Sequence, residues 1–422
     1  MHTLTLKPRN YDRLRKGHAW VFSNDVEQIP TEIEAGSLVE VREAGGGRSY
    51  GAAMFNPNSL ITARLLGTSI DELSGNSPDA ASDSTSHDLS VEFFQERIQR
   101  AWLLRKRVFP TETSYRLVFG ESDLLPGLVI DKYSSLNSED YFVLQTLSVG
   151  MDRRIQTIST ALRNIFPNTK AIIEKNNSAL RQMDGLEQRE SVLWGDIPPE
   201  LAISENNILF SLSLLEGQKT GYFLDQKVNR LKIKELCAGM RMLDCFTNQG
   251  GFALHAAAGG AREVLGLDSS EAAIKRCRIN AALNGMEAIA RFETSDVFDY
   301  LHALAQERDA AFQLPSDKRW DCIILDPPAF AKSKKTVPQA VRGYAKINRA
   351  ALKLLPKGGL LATGSCSHHV SEQILWDIIQ AEALRERRRL RLIFRGMQSP
   401  CHPVLASMPE TNYLKFFIFE VL

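Results

Sequence analysis

The sequence predicts an α/β protein of two to three domains, with a doubly wound parallel sheet in its C-terminal half and β-rich and α+β stretches before it. Three observations predict this. The chain has 422 residues, more than the roughly 150 of a single domain. Its 44% hydrophobic and 24% charged residues suit globular cores and exclude global disorder, a collagen-like fibre or a coiled coil. From about residue 200, short apolar runs (Met242 to Cys245, Val264 to Leu267, Cys322 to Leu325, Leu360 to Thr363) alternate with helical stretches, the order that builds a parallel sheet.

The first element in order is a β-rich module over 1–70. Ser37 to Val41 and Ile61 to Leu66 read as strands, punctuated by Gly45-Gly46-Gly47 and Asn56-Pro57-Asn58. Residues 71–90 read as an acidic, solvated linker or insertion. The stretch 71–92 holds six acids and no Lys or Arg, too little apolar area to offset its ordering entropy. An α+β domain over 91–190 follows. Phe94, Ile98, Ala101 and Trp102 recur at helical spacing until Pro110. Strand-like runs then come at Arg116 to Phe119, Leu128 to Ile130, Tyr141 to Leu147 and Ala171 to Ile173, with a helix near 152–165. The last domain, 191–422, is the parallel-sheet half.

Fifty-one Lys and Arg against fifty Asp and Glu leave a net charge of +1, which alone points to no nucleic acid or membrane partner. Apolar runs fall short of the roughly 20 residues of a membrane span, and Met1 to Trp20 has no signal-peptide core, so a cytoplasmic protein is expected. The six cysteines (237, 245, 277, 322, 366, 401) show no CxxC spacing; neither a metal site nor a disulfide framework is expected.

In the last domain a strand leads into Asp244-Cys245-Phe246-Thr247-Asn248-Gln249-Gly250-Gly251 and a helix follows. Backbone N–H groups in such a Rossmann-like turn can approach a ligand closely, although a turn that only packs helix on strand would read the same. The next strand ends at Asp268, where an acid grips a ribose diol; the lesser alternative is that Asp268 caps the helix opened by Ser269-Ser270-Glu271. Asp296 and Asp326, the latter in Asp326-Pro327-Pro328, close two further strands. Four carboxylates at successive strand ends meet on one rim of such a sheet. The set resembles a class I S-adenosylmethionine-dependent methyltransferase, with the turn from Asp244 through Phe246, Thr247, Asn248, Gly250 and Gly251, Asp268 and Ser269 on the ribose, Asp296 on the adenine side, and Asp326 with Pro327 on the catalytic rim. Tyr413 to Val421 would suit the last, antiparallel strand of that fold.

Asp-Pro-Pro leaves the acceptor open. Amino-group methyltransferases carry an aromatic residue directly after this motif, whereas Phe330 here stands one place late. Cys366 follows a strand on the same rim. Carbon-5 of a pyrimidine is a poor nucleophile and needs a thiolate at carbon-6, a part Cys366 could play; a small buried packing residue is the alternative. Cys401 is a second choice. His368 and His369 read as structural rather than metal-binding. Residues 327–357 carry eight Lys or Arg and no acid, a stretch that would attract phosphates and favour a thiolate, or simply form a solvated helix face.

Five separated motifs resemble the RlmI-like cytosine-C5 ribosomal RNA methyltransferases: Lys16 to Ser23, Gly120 to Leu128, Gly217 to Gln226, Asp326 to Lys335 and Ser365 to His369. The resemblance spans nearly the whole chain. It implies an N-terminal PUA domain, a central α+β domain and a methyltransferase domain, with S-adenosylmethionine as cofactor. It also implies large-subunit ribosomal RNA as partner and a homodimer. Gln218, Tyr222 and Asp225 would then cover the methionine end of the cofactor. Cys366 would add to carbon-6 while Asp326 holds the pyrimidine edge. Arg13, Arg15, Lys16, Lys332, Lys334, Lys335 and Arg342 would meet the RNA. An amino-directed RNA methyltransferase and a non-catalytic RNA-binding protein are the alternatives.

Overall fold

The computed structural model describes residues 1–8, 11–67, 89–216, 220–310, 319–331 and 333–422. Gln218, Lys332 and residues 71–88 of the acidic segment lie outside them. The chain divides into two compact units, one of 1–203, 212–224 and 400–411, the other of 204–211, 225–399 and 412–422.

The first unit holds two five-stranded sheets. Strands β1 (His2–Leu6), β2 (Trp20–Phe22), β3 (Leu38–Glu43), β4 (Ser49–Phe55) and β5 (Ile61–Leu65) pair in the order β1-β3-β4-β5-β2. Leu4, Leu6, Val39, Val41, Ala53, Phe55 and Ala63 alternate into a common core. Strands β6 (Tyr115–Phe119), β7 (Leu128–Ser134), β8 (Asp140–Thr146), β9 (Thr169–Asn176) and β10 (Arg189–Gly195) pair in reverse chain order. The helix Val91–Val108 buries Phe94, Ile98 and Ala101 against this second sheet, as the period of the sequence predicts. Its Arg105 is fully buried, which is tolerable because Asp123 accepts from it through both oxygens, at 2.6 and 2.7 Å. Glu121, two residues before, accepts from the Trp20 indole at 2.7 Å and pairs with Arg64. Two of the sequence motifs, around Trp20 and around Glu121, therefore meet in space.

A short hairpin, β11 (Leu201–Glu205) and β12 (Ile208–Leu212), turns through Asn206 and Asn207, both at positive φ, as a two-residue hairpin loop requires.

The second unit is built on a seven-stranded sheet of β13 (Arg241–Cys245), β14 (Glu263–Asp268), β15 (Ala290–Thr294), β16 (Cys322–Leu325), β17 (Leu360–Ser365), β18 (Leu390–Met397) and β19 (Lys415–Val421). The order is β15-β14-β13-β16-β17-β19-β18. The first five strands are parallel; β19 runs antiparallel between β17 and β18. The predicted terminal strand is thus real but interior, and β18 forms the edge. Leu243, Cys245, Leu265, Leu267, Ile323 and Leu325 alternate onto a core shared with the helices Val297–Ala310, Val337–Leu354 and Glu372–Arg385. The strand order reverses at β13, the switch point outside which ligands bind in open α/β sheets. Among the described residues no helix is long and apolar enough to cross a membrane.

Candidate cofactor site and reactive rim

The turn after β13 is held from several directions. Asp244 is fully buried; its Oδ2 accepts from the Thr247 hydroxyl at 2.6 Å and from the Ala253 N–H at 3.0 Å in the first turn of the helix Gly251–Ala258. Burial, with the nearby charges of Asp326 and Asp268, pushes its carboxyl up to about 7 against those two hydrogen bonds. Asn248 donates its N–H to Asp268 Oδ2 at 3.0 Å, while its carbonyl takes the Cys277 thiol at 3.0 Å. Asn280 donates to the Gln249 carbonyl at 3.1 Å. Phe246 and Asn248 sit at positive φ, and Gly250 at +82°; a Cβ on Gly250 would meet the Phe292 ring and the Cys277 sulfur only at ordinary contact distance, so it is the left-handed backbone that calls for glycine.

Asp268 accepts from two backbone N–H groups, of Asn248 and of Ser270, both at 3.0 Å. The cap of the following helix is Ser270, not Asp268, since the Ser270 hydroxyl accepts from Ala273; Ser269 beside it is exposed. Asp296 is exposed and accepts from the Asp299 N–H at 3.1 Å, capping the helix that begins at Val297. Asp296 follows β15, two residues beyond Thr294, on the strand-end side of the sheet.

The Asp-Pro-Pro rim follows β16. Asp326 Oδ1 accepts from Gln226 at 2.8 Å, and Gln226 in turn accepts from Asn229 at 2.6 Å. Asp225 Oδ2 accepts from the Tyr413 hydroxyl at 2.6 Å. Tyr222 belongs to the first unit, where its N–H donates to the Tyr133 hydroxyl at 3.2 Å. Phe330 packs between Phe298 and Tyr344, with ring centroids 5.8 and 4.7 Å away. Its ring is taken up by the fold, unlike an aromatic residue left to stack on a target base.

Cys366 follows β17 and is half-buried, whereas the other five cysteines are buried. Its sulfur lies 4.0 Å from the Pro327 carbonyl. Both flanking serines are tied down: the Tyr344 hydroxyl lies 2.8 Å from Ser365 Oγ and 3.2 Å from Ser367 Oγ, and Ser367 Oγ also accepts from the Ala331 N–H at 3.2 Å. Cys401, the second choice, is buried in the first unit with its sulfur 3.2 Å from His402 Nδ1. Burial drives the thiols of Cys245 and Cys277 well up, the behaviour of packing residues.

The cations divide into committed and open ones. Arg13 pairs with Asp25 at 2.6 Å and Arg15 with Glu43 at 3.0 Å, while Lys16 is exposed. Lys334, Lys335 and Arg342 are exposed. Further along the same basic stretch Lys346 lies over the Phe298 ring and Arg349 pairs with Glu386 at 2.6 Å. These two line a cavity of about 400 Å³ among three helices, together with Leu301, Ala305 and Arg385. Lys334, Lys335 and Arg342 are thus the described cations of the stretch that lie nearest Asp-Pro-Pro in the chain. No group of three His, Cys, Asp or Glu among the described residues could hold a metal ion.

Sequence reasoning missed Tyr344, Lys415 and Asn280, and reached Gln226 only as the end of a motif, without its bond to Asp326. Each acts through a partner more than 20 residues away in the chain, and no local pattern marks such a pairing.

Comparison with known proteins accords with this geometry. The profile of an S-adenosylmethionine-dependent methyltransferase family matches residues 189–419, and that of a PUA-like domain matches residues 4–68. The chain belongs to the S-adenosylmethionine-dependent methyltransferases. A ribosomal RNA large subunit methyltransferase I from Vibrio cholerae is 35% identical over 97% of this chain and 96% of its own length. The protein of that name from Erwinia tasmaniensis is 34% identical over 99% and 98%. A solved methyltransferase-fold chain from Streptococcus mutans superposes with a TM-score of 0.77, at 22% identity and full coverage of both chains. Another, complexed with SAH, does so with a TM-score of 0.79 at the same identity and coverage; at that identity the likeness is one of fold. The family's cofactor is S-adenosylmethionine, and the residues present fit it. The buried Asp244 Oδ1 has no hydrogen-bond partner among the described residues, the left-handed backbone at Gly250 favours glycine in the turn, and Asp268 is fixed at the strand end where a ribose is gripped.

Proposed function

We propose that the chain methylates carbon-5 of a cytosine in large-subunit ribosomal RNA, in the cytoplasm where ribosomes are built, with Cys366 as nucleophile. The observation that carries this reading is the thiol itself. Of six cysteines Cys366 alone is not buried, and it stands on the strand-end rim beside Asp326-Pro327. The names of the relatives supply the RNA class, and the packing of Phe330 disfavours the amino-directed alternative.

When bound, S-adenosylmethionine supplies an electrophilic methyl group. The turn from Phe246 to Gly251 would receive it, with Asp268 on the ribose hydroxyls, Asp296 toward the adenine amine, and Asp225 in the neighbourhood of Asp326 through Gln226. The target base must leave its stack to reach the rim. Cys366 Sγ adds to carbon-6, which makes carbon-5 electron-rich enough to take the methyl group. Asp326, oriented by Gln226, hydrogen-bonds the pyrimidine edge. Loss of the carbon-5 proton to a base then expels the thiolate and restores the double bond. Lys16, Lys334, Lys335 and Arg342 are the charges open to phosphates, and Arg13 and Arg15 would act from within their ion pairs.

The test is Cys366→Ala incubated with labelled cofactor and undermodified ribosomal RNA, followed by mapping of the modified base. Loss of 5-methylcytosine is expected; full retained activity would sink the nucleophile assignment.

A further inference from the structure

The least expected charge in the second unit is Lys415, the first residue of β19. Its Cα stands opposite Ser365, the last residue of β17, and its ammonium reaches the loop that carries Cys366. The ammonium donates to the Ser367 carbonyl at 2.7 Å and to the Tyr413 carbonyl at 2.9 Å. Lys415 is only 7% exposed. A buried ammonium without a carboxylate is costly, because carbonyl dipoles replace only part of its lost hydration. Among the described residues it makes no ion pair. Glu372, at the start of the helix Glu372–Arg385, is felt through space but is bound by Arg395. The other group whose negative form favours this ammonium is the Cys366 thiol.

We propose that Lys415 is the positioning partner of Cys366, holding the loop that carries the thiol through the Ser367 carbonyl and favouring the thiolate by its buried positive charge. The proposal rests on the reading of Cys366 as nucleophile and deepens it. Thiolate formation releases the sulfhydryl proton to solvent and leaves both electrons on sulfur; Lys415 keeps its own proton. Burial pulls the Lys415 ammonium down to about 8, so it is charged at neutral pH. Other groups facing Cys366 are Asp326 after β16, whose charge opposes a thiolate, and the Tyr344 phenol from the helix Val337–Leu354, held neutral by burial. His368 and His369 follow Cys366 in its own loop and are exposed. Lys415 is thus the buried cation of the set.

The test uses the full chain without RNA. The rate of Cys366 alkylation by iodoacetamide is followed by mass spectrometry against pH, in the native protein and in Lys415→Met and Lys415→Arg. The native protein should reach half-maximal rate below the ordinary thiol value of about 8.5. Lys415→Met should move that midpoint up by about one pH unit or more, and Lys415→Arg should restore most of it. A merely structural lysine would change melting temperature and leave the midpoint in place. A Lys415→Met protein that melts cooperatively and binds S-adenosylmethionine, yet alkylates with the native midpoint, overturns the proposal. Should that variant fail to fold, a native midpoint at or above 8.5 overturns it equally. Alkylation requires no catalysis, so retained methylation by Cys366→Ala would defeat the nucleophile reading without deciding this result.

Discussion

Two loops on the rim of one sheet are built in opposite ways. The turn after β13, from Asp244 to Gly251, is held by its own residues and by the next strand and helix: Asp244, Thr247, Asp268, Cys277 and Asn280 span under 40 residues. The loop after β17, from Ser365 to His369, is held from afar. Its anchors are Ala331 and Tyr344 before it and Lys415 well after it. A cofactor platform can be a local device, because backbone N–H groups and strand-end carboxylates come from a single βαβ unit. A reactive thiol needs several charges and hydroxyls aimed at one atom, and these come from whichever elements the topology brings near.

The largest expected effect tests that division at its far end. Cys366→Ala should lower methylation by about a thousandfold or more while cofactor affinity, read by calorimetry, stays within a factor of two or so of native. A parallel loss of cofactor binding would break the separation of the two loops. Next comes the platform. Asp268→Ala removes a carboxylate that accepts from two N–H groups, and should weaken cofactor binding roughly tenfold to a hundredfold; activity at saturating cofactor should recover in part. Tyr344→Phe deletes only the hydroxyl shared by Ser365 and Ser367. It should cost about 1 kcal/mol of stability and lower turnover, with cofactor affinity unchanged; equal loss in both would mean that the loops are coupled.

The last test concerns stability alone, at Asp244. Its folded-state value, about 7, lies above the ordinary 3.8. Between those two pH values the folded protein holds a proton that the unfolded chain has released, so stability should fall as pH rises from about 4 to 7. Asp244→Asn should flatten that slope in melting temperature measured across the range. An unchanged slope would show that the platform does not bury a proton there.

The same contrast separates what could be read from residues alone. The Asp244 turn, Asp268 and the Asp-Pro-Pro rim could be picked out because each is marked by its position at the end of an apolar run; Asp296 follows the mixed strand Ala290–Thr294. Even there the structure divides the roles: Asp244 braces the turn from beneath, Asp296 also caps a helix, and Ser270 rather than Asp268 caps the next one. The basic stretch 327–357 read as one surface, yet Lys346 and Arg349 are drawn onto Phe298 and Glu386 along the helix. Helical rotation and burial distribute charges that a linear count puts together.

The sequence by itself determined the α/β class, the alternation of apolar strands with helices in the C-terminal half, and the candidate acids and cysteine after those strands. Hydrophobic period, turn residues and strand ends are short-range properties, and they survive in the linear order. Only the tertiary structure decided that β19 lies inside the sheet, that Gln226 orients Asp326, that Tyr344 pins both serines around Cys366, and that Lys415 is buried with its ammonium on the Ser367 carbonyl. Those contacts join residues from about 20 to 100 positions apart. They exist because strand pairing and helix packing, rather than chain proximity, choose which side chains share a low-dielectric space.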